Sequence, residues 1–160
     1  MVSDGGPVHY LILCGAIEII PKLYDRLVIP RAVARELTHS RTPPQVSRWI
    51  QSLPPWAMIE TARRIDPAPQ LGAGELEAIA LALELKAVQL LIDDRAARRI
   101  AVRRGLSTLG TVGILEHAAT VGIVKLPEVL QKLLSTNFRI DPAVVAEVLD
   151  RDAVRRRSCG

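Results

Sequence analysis

Short apolar runs alternate along this chain with longer segments of helical spacing, and glycine, proline or aspartate marks most of the joins. Met1 to Ser3 reads as the end of a strand. Asp4, Gly5 and Gly6 separate it from Pro7, a residue favoured at the first position of a helix, here running to about Gly15. A second apolar segment, Ala16 to Leu23, precedes a short strand at Leu27 to Ile29, and Pro30 opens a helix from Arg31 to Thr38. Pro43, Pro44, Pro54 and Pro55 bracket a short helix, Gln45 to Leu53, expected to be a surface excursion. Met58 to Ala62 reads as a strand and Arg63 to Gly72 as a loop.

The stretch Gly72 to Asp94 is a helix-then-strand unit with acids at both ends. Leu76, Ile79, Ala80 and Leu83 form the apolar stripe expected to pack on a sheet, and the run Ala87 to Ile92 is the strand. Helix Arg95 to Arg104 is closed by Gly105, and Leu106 to Leu109 is a strand. Helices over Thr111 to Thr120, Leu126 to Leu134 and Pro142 to Asp150 complete the chain. Strands that are short, apolar on both sides and interleaved with helices predict an α/β fold with a parallel sheet covered on both faces.

At 160 residues the chain suits a single domain over 1–160, with a core over about 1–125 and C-terminal helices over about 126–157. Hydrophobic residues make up 49%, too many for a disordered chain. Aromatic residues are only 3%, which disfavours a stacking platform for single-stranded nucleic acid. The net charge of +4 is unevenly placed, with Arg95, Arg98, Arg99, Arg103 and Arg104 in one segment and Arg151, Arg155, Arg156 and Arg157 in another. Such clusters suit phosphate contact or, equally, solvated helix faces. Cys14 and Cys159 form neither a metal-ligand spacing nor a disulfide framework, which points to a reducing compartment. No apolar run reaches the roughly 20 residues needed to span a bilayer and no signal peptide opens the chain, so a cytoplasmic protein without a membrane partner is expected.

The acids change the picture from fold to chemistry. Glu75 is in the first turn of its helix, where the dipole alone stabilises a carboxylate by about 0.3–1 kcal/mol. Glu77 is read as solvent-facing. Either Asp93 or Asp94 suits an N-cap, but two acids exceed what capping needs, and ligands bind at the carboxyl ends of parallel strands. Asp4 follows another strand and belongs at the same edge. Glu36 lies at a helix end where a carboxylate opposes the dipole, with Arg31 or Arg35 as alternative partners. If these acids converge, their repulsion requires protons or cations, and hard oxygen ligands suit Mg²⁺ or Mn²⁺ and hydrolysis of nucleic acid. The competing reading is that each acid is a separate cap or surface charge. His9, His39 and His117 are scattered, and His9 is expected to be a packed residue rather than a base. Gly105 to Gly113 fits neither the P-loop nor the dinucleotide fingerprint.

The segments VSDGGPVHYLILCGAIEIIPKLY, VIPRAVAREL, LGAGELEAIALALELKA, LLIDDRAARRIAVRRGL and LGTVGILEHAATVGIV occur in this order over most of Val2 to Val124. Together they resemble PIN-domain proteins, and more closely the PIN-like branch of nucleic-acid-binding proteins found beside bacterial and archaeal toxin–antitoxin systems. The resemblance implies a three-layer α/β/α domain with a mostly parallel sheet and a carboxylate cleft that binds Mg²⁺ or Mn²⁺ for ribonuclease activity. By motif it assigns metal-binding and catalytic roles to Asp4, Glu36, Glu75 and Asp93 or Asp94, and phosphate contact to Arg98 and Arg99. It also implies RNA as substrate, an antitoxin protein as partner and a homodimer, for which Leu126 to Leu134 offers an apolar surface. Gly5 and Gly6 stand where the family carries Ser, Thr or Asn after its first aspartate. Ile92 or Asp93 stands where the family has Thr before its last acid. These departures bear on catalytic rate, and they keep a non-cutting module that binds RNA or protein as the alternative.

Overall fold

Successive residues of the central strands bury on opposite sides, so the sheet must be covered twice. Leu27 and Ile29 join one apolar cluster and Val28 the other, and Leu91 is separated in the same way from Leu90 and Ile92. The computed structural model describes residues 1–158, so Cys159 lies outside the described residues. The elements are β1 (Val2–Ser3), α1 (Gly5–Leu13), a 3-10 turn (Ile17–Ile19) running into α2 (Ile20–Leu23), β2 (Leu27–Pro30), α3 (Arg31–Leu37), α4 (Pro44–Gln51) and β3 (Ala57–Glu60). They continue with α5 (Ala73–Glu84), β4 (Leu90–Leu91), α6 (Arg95–Arg103), β5 (Thr108–Leu109), α7 (Thr111–Thr120), α8 (Leu126–Leu134) and α9 (Pro142–Ser158).

The five strands form one sheet in the order β3-β2-β1-β4-β5, every neighbouring pair parallel. The predicted α/β architecture with three layers is therefore present, with α5 and α6 on one face and α1, α4, α7 and α8 on the other. The chain leaves β1 toward β2 on one side and returns to β4 on the other. Asp4 after β1 and Asp93 after β4 flank that reversal, where open parallel sheets leave a crevice.

Several local expectations are corrected. Helix α1 begins at Gly5, ahead of Pro7, and α9 extends to Ser158. Helix α4 is more than a surface excursion, because Val46 and Ile50 reach the core from it. The stripe on α5 is displaced: Leu83 is exposed while Glu77, Ala78, Ile79, Ala80, Leu81 and Ala82 are buried, so α5 is covered nearly all round. Glu77 in particular, expected to face solvent, keeps only 4% of its surface. Most of the apolar face of α8 is already used, since Leu126, Val129, Leu130 and Leu133 pack into the core and only Leu134 of its leucines is exposed. No single helix among the described residues is long and apolar enough to cross a membrane.

Candidate functional site

Strand β1 ends in the sheet, and the chain must turn at once into α1, so the residue at that turn is held at the sheet's carboxyl edge. That residue is Asp4, which keeps 9% of its surface. Its carboxylate closes no capping hydrogen bond onto α1. Burial, above all, raises its pKa to about 6, and the charges of Glu75 and Glu36 push in the same direction, against the nearby N–H groups of Gly5 and Gly6.

Glu36 and Glu75 arrive from different elements and are each fixed by one oxygen. Gly74 N–H donates to Glu36 Oε1 at 3.1 Å, and Gly72 N–H donates to Glu75 Oε2 at 2.8 Å. The three acids, Asp4, Glu36 and Glu75, line one cleft of about 510 Å³ together with His9, Tyr10 and Asn137. Three of the five expected acidic positions are thus brought together. His9 is half-buried and desolvation lowers its pKa, which keeps the imidazole neutral at the cleft wall.

The paired aspartates part company. Asp94 is exposed and caps α6 by accepting Ala97 N–H at 2.8 Å. Asp93 turns inward and accepts both Thr111 N–H at 2.7 Å and Thr111 Oγ1–H at 2.6 Å, at the start of α7. A Cβ added at Gly6 would lie 3.4 Å from Asp93 Oδ2, so Asp93 borders the first turn of α1. It lines an adjoining groove of about 640 Å³ with Arg95, Arg98, Gly110 and Arg139. The hydroxyl found beside Asp93 therefore belongs to Thr111 and comes from a distant segment. Of the two expected phosphate-binding arginines, Arg99 is exposed, whereas Arg98 Nη2 is tied to the Ile92 carbonyl at 2.8 Å.

Several contributors carry no sequence signal. Asn137 reaches the cleft from the loop between α8 and α9, and the Tyr10 and Phe138 rings meet edge to face at 4.8 Å to hold that loop against α1. Gly74 makes a close approach: a Cβ there would stand 2.8 Å from Glu36 Oε2 and 3.0 Å from Val33 Cγ2, so the Glu36 carboxylate would have to move. Gly5 and Gly6 have room for a Cβ, so their lack of side chains is not imposed by packing.

The donor set suits a hard divalent cation, because Asp4 is a buried carboxylate whose pKa is raised, set beside two further acids. Among the described residues no three acids, histidines or cysteines already stand close enough to chelate one bare ion. A cleft of this size fits an ion that keeps part of its hydration shell, as Mg²⁺ commonly does.

Two predictions follow from this geometry. Without metal, the stability that Asp4 confers is full below about pH 4, where it is protonated folded and unfolded, and is lost as pH rises through about 6. Asp4→Asn should remove that slope, worth on the order of 2–3 kcal/mol. Urea denaturation of both proteins in EDTA at the two ends of this range checks it, and parallel curves would refute it. Gly74→Ala should cost about 1–3 kcal/mol by overpacking and displace Glu36, weakening Mn²⁺ binding at least ~10-fold by calorimetric titration.

The domain-family model DUF3368, described as a PIN domain, matches residues 1–153 of the chain. No curated protein matches it in sequence. Among solved structures, a PilT N-terminus domain protein from the hyperthermophilic archaeon Sulfolobus solfataricus P2 is 17% identical. That likeness covers 88% of this chain and 100% of the other, with a TM-score of 0.48.

Proposed function

The chain belongs to the PIN-domain family, and from that premise we propose that it is a Mg²⁺- or Mn²⁺-dependent endoribonuclease, the toxin of a toxin–antitoxin pair. The nuclease-type fold is the family's. The observation that carries the rest is the convergence of Asp4, Glu36 and Glu75 on one cleft, with Asp93 at its border.

In this reading Asp4, Glu36 and Glu75 hold the ion, Asp93 contributes from the adjoining groove, and Asp94 remains a helix cap. When bound, the ion supplies Lewis acidity toward a phosphodiester and a water of lowered pKa. Gly74 and Gly72 each engage one oxygen of Glu36 and Glu75, which orients the second oxygen of each carboxylate without consuming it. Thr111 instead engages both oxygens of Asp93, its N–H on Oδ1 and its hydroxyl on Oδ2, which fixes the orientation of that carboxylate. Neutral His9 and Asn137 form a wall that can contact RNA without adding charge.

The test is cleavage of RNA by the purified chain in Mg²⁺ or Mn²⁺, stopped by EDTA. No metal-dependent cleavage would sink the reading. The alternative, a PIN-like module that binds RNA or protein without cutting, is favoured by the absence of a ready chelating trio among the described residues. Failure to bind Mn²⁺ at millimolar concentration in calorimetry would select it.

A further inference from the structure

The two arginine clusters look alike in sequence but differ in what they face. In α9, Arg151 grips Glu116 through Nε at 2.7 Å and Nη2 at 3.0 Å. Arg155 and Arg156 both pair with the buried Asp152, and Arg155 also donates to Thr120 at 2.7 Å. Arg151 and Arg155 thus fasten α9 to α7, and the Asp152 pairs lie within α9. In α6 the arrangement is opposite. Arg95, Arg99 and Arg103 are exposed at four-residue spacing, on the side of the helix away from buried Ala97, Ile100 and Ala101.

Among the described residues, no carboxylate lies within ion-pair distance of any of the three. Like charges one turn apart destabilise a helix, so the stripe gains nothing for the fold. At 1.5 Å per residue it extends about 12 Å. Its first member, Arg95, lines the groove that contains Asp93, and Arg139 lines the same groove from the opposite segment. The groove's 640 Å³ suits a nucleotide-sized group rather than a duplex.

We propose that Arg95, Arg99 and Arg103 form a track for the phosphate backbone of single-stranded RNA running from the acid cleft past Asp93 and along α6. The inference rests on the ribonuclease reading for the identity of the polymer. Arg98, tied to the Ile92 carbonyl, is a positioning residue of the groove and no part of the track.

The experiment measures binding of a fluorescein-labelled oligouridine to the full chain in EDTA as salt is varied. Each neutralised phosphate contributes about 0.7 to the slope of log affinity against log salt. Replacing Arg95, Arg99 and Arg103 together by Gln, a good helix former, should reduce the slope by about 2. Between about 50 and 200 mM salt, the affinity loss of the variant should then be roughly 20-fold smaller than that of the wild type. The corresponding Lys variant should keep the slope, and Arg63→Gln, near the far edge of the sheet, should leave it unchanged. An unaltered slope in the Gln variant overturns the track, and metal-dependent cleavage that persists in it leaves the ribonuclease standing. Equal affinity and salt slope for polyglutamate overturn the track in favour of an acidic protein partner. Absence of salt-dependent RNA binding by the wild type overturns both the track and RNA as the cleft's substrate.

Discussion

An Asp4→Asn, Glu75→Gln double variant is expected to lose metal-dependent RNA cleavage by at least about 100-fold while remaining folded. Both replacements keep shape and remove charge, so the fall would report on electrostatics rather than on packing. Asp4 is the most deeply buried of the cleft acids, and burial penalises its charge more than the Gly5 and Gly6 N–H groups offset. Glu75 approaches from α5, held by Gly72 N–H. Removing both leaves Glu36 and Asp93 on their own elements, too little negative charge to retain a divalent ion. Without metal the variant should be at least as stable as the wild type at neutral pH, because repulsion and desolvation at Asp4 are both relieved. Initial cleavage rates in Mn²⁺, with thermal unfolding in EDTA as the folding control, make the comparison. Undiminished cleavage would remove these acids from the mechanism.

Glu77→Ala is expected to be the most damaging single change to the fold, costing about 3–5 kcal/mol and lowering Tm by roughly 10 °C. Glu77 Oε2 accepts Ala32 N–H at 2.7 Å in the first turn of α3, and Oε1 accepts Ala62 N–H at 3.0 Å just beyond β3. One carboxylate on α5 therefore satisfies the start of α3 and the end of an edge strand. Alanine leaves both donors without their partner and a void between three elements. Glu77→Gln should cost less, since its carbonyl can still accept one of the two bonds. Thermal and urea unfolding check both, and a loss in Glu77→Ala no greater than in an exposed control would contradict the role.

Glu77 also marks where sequence reading stops. Glu75 and Glu77 are two residues apart on one helix, and local pattern favours one for a cleft and the other for water. The structure puts Glu75 in the cleft and buries Glu77, because donors 45 and 15 residues away await it. Asp93 and Asp94 behave similarly. A strand followed by a helix makes an N-cap at Asp94 readable, but Asp93's partner, Thr111, lies 18 residues on and becomes a neighbour only through the pairing of β4 with β5.

What the sequence determined by itself was the order of elements, the parallel α/β sheet and the carboxyl edge at which Asp4 and the aspartate pair emerge. Those follow from apolar periodicity and from proline and glycine at the joins, which act over a few residues. Tertiary structure alone decided which acids share a cleft, that Gly74 lies against Glu36 and Val33, that Asn137 reaches the site, and which arginines are left free of ion pairs. A buried carboxylate or a surface cation takes its character from whatever is packed beside it, and in this chain those neighbours come from distant segments.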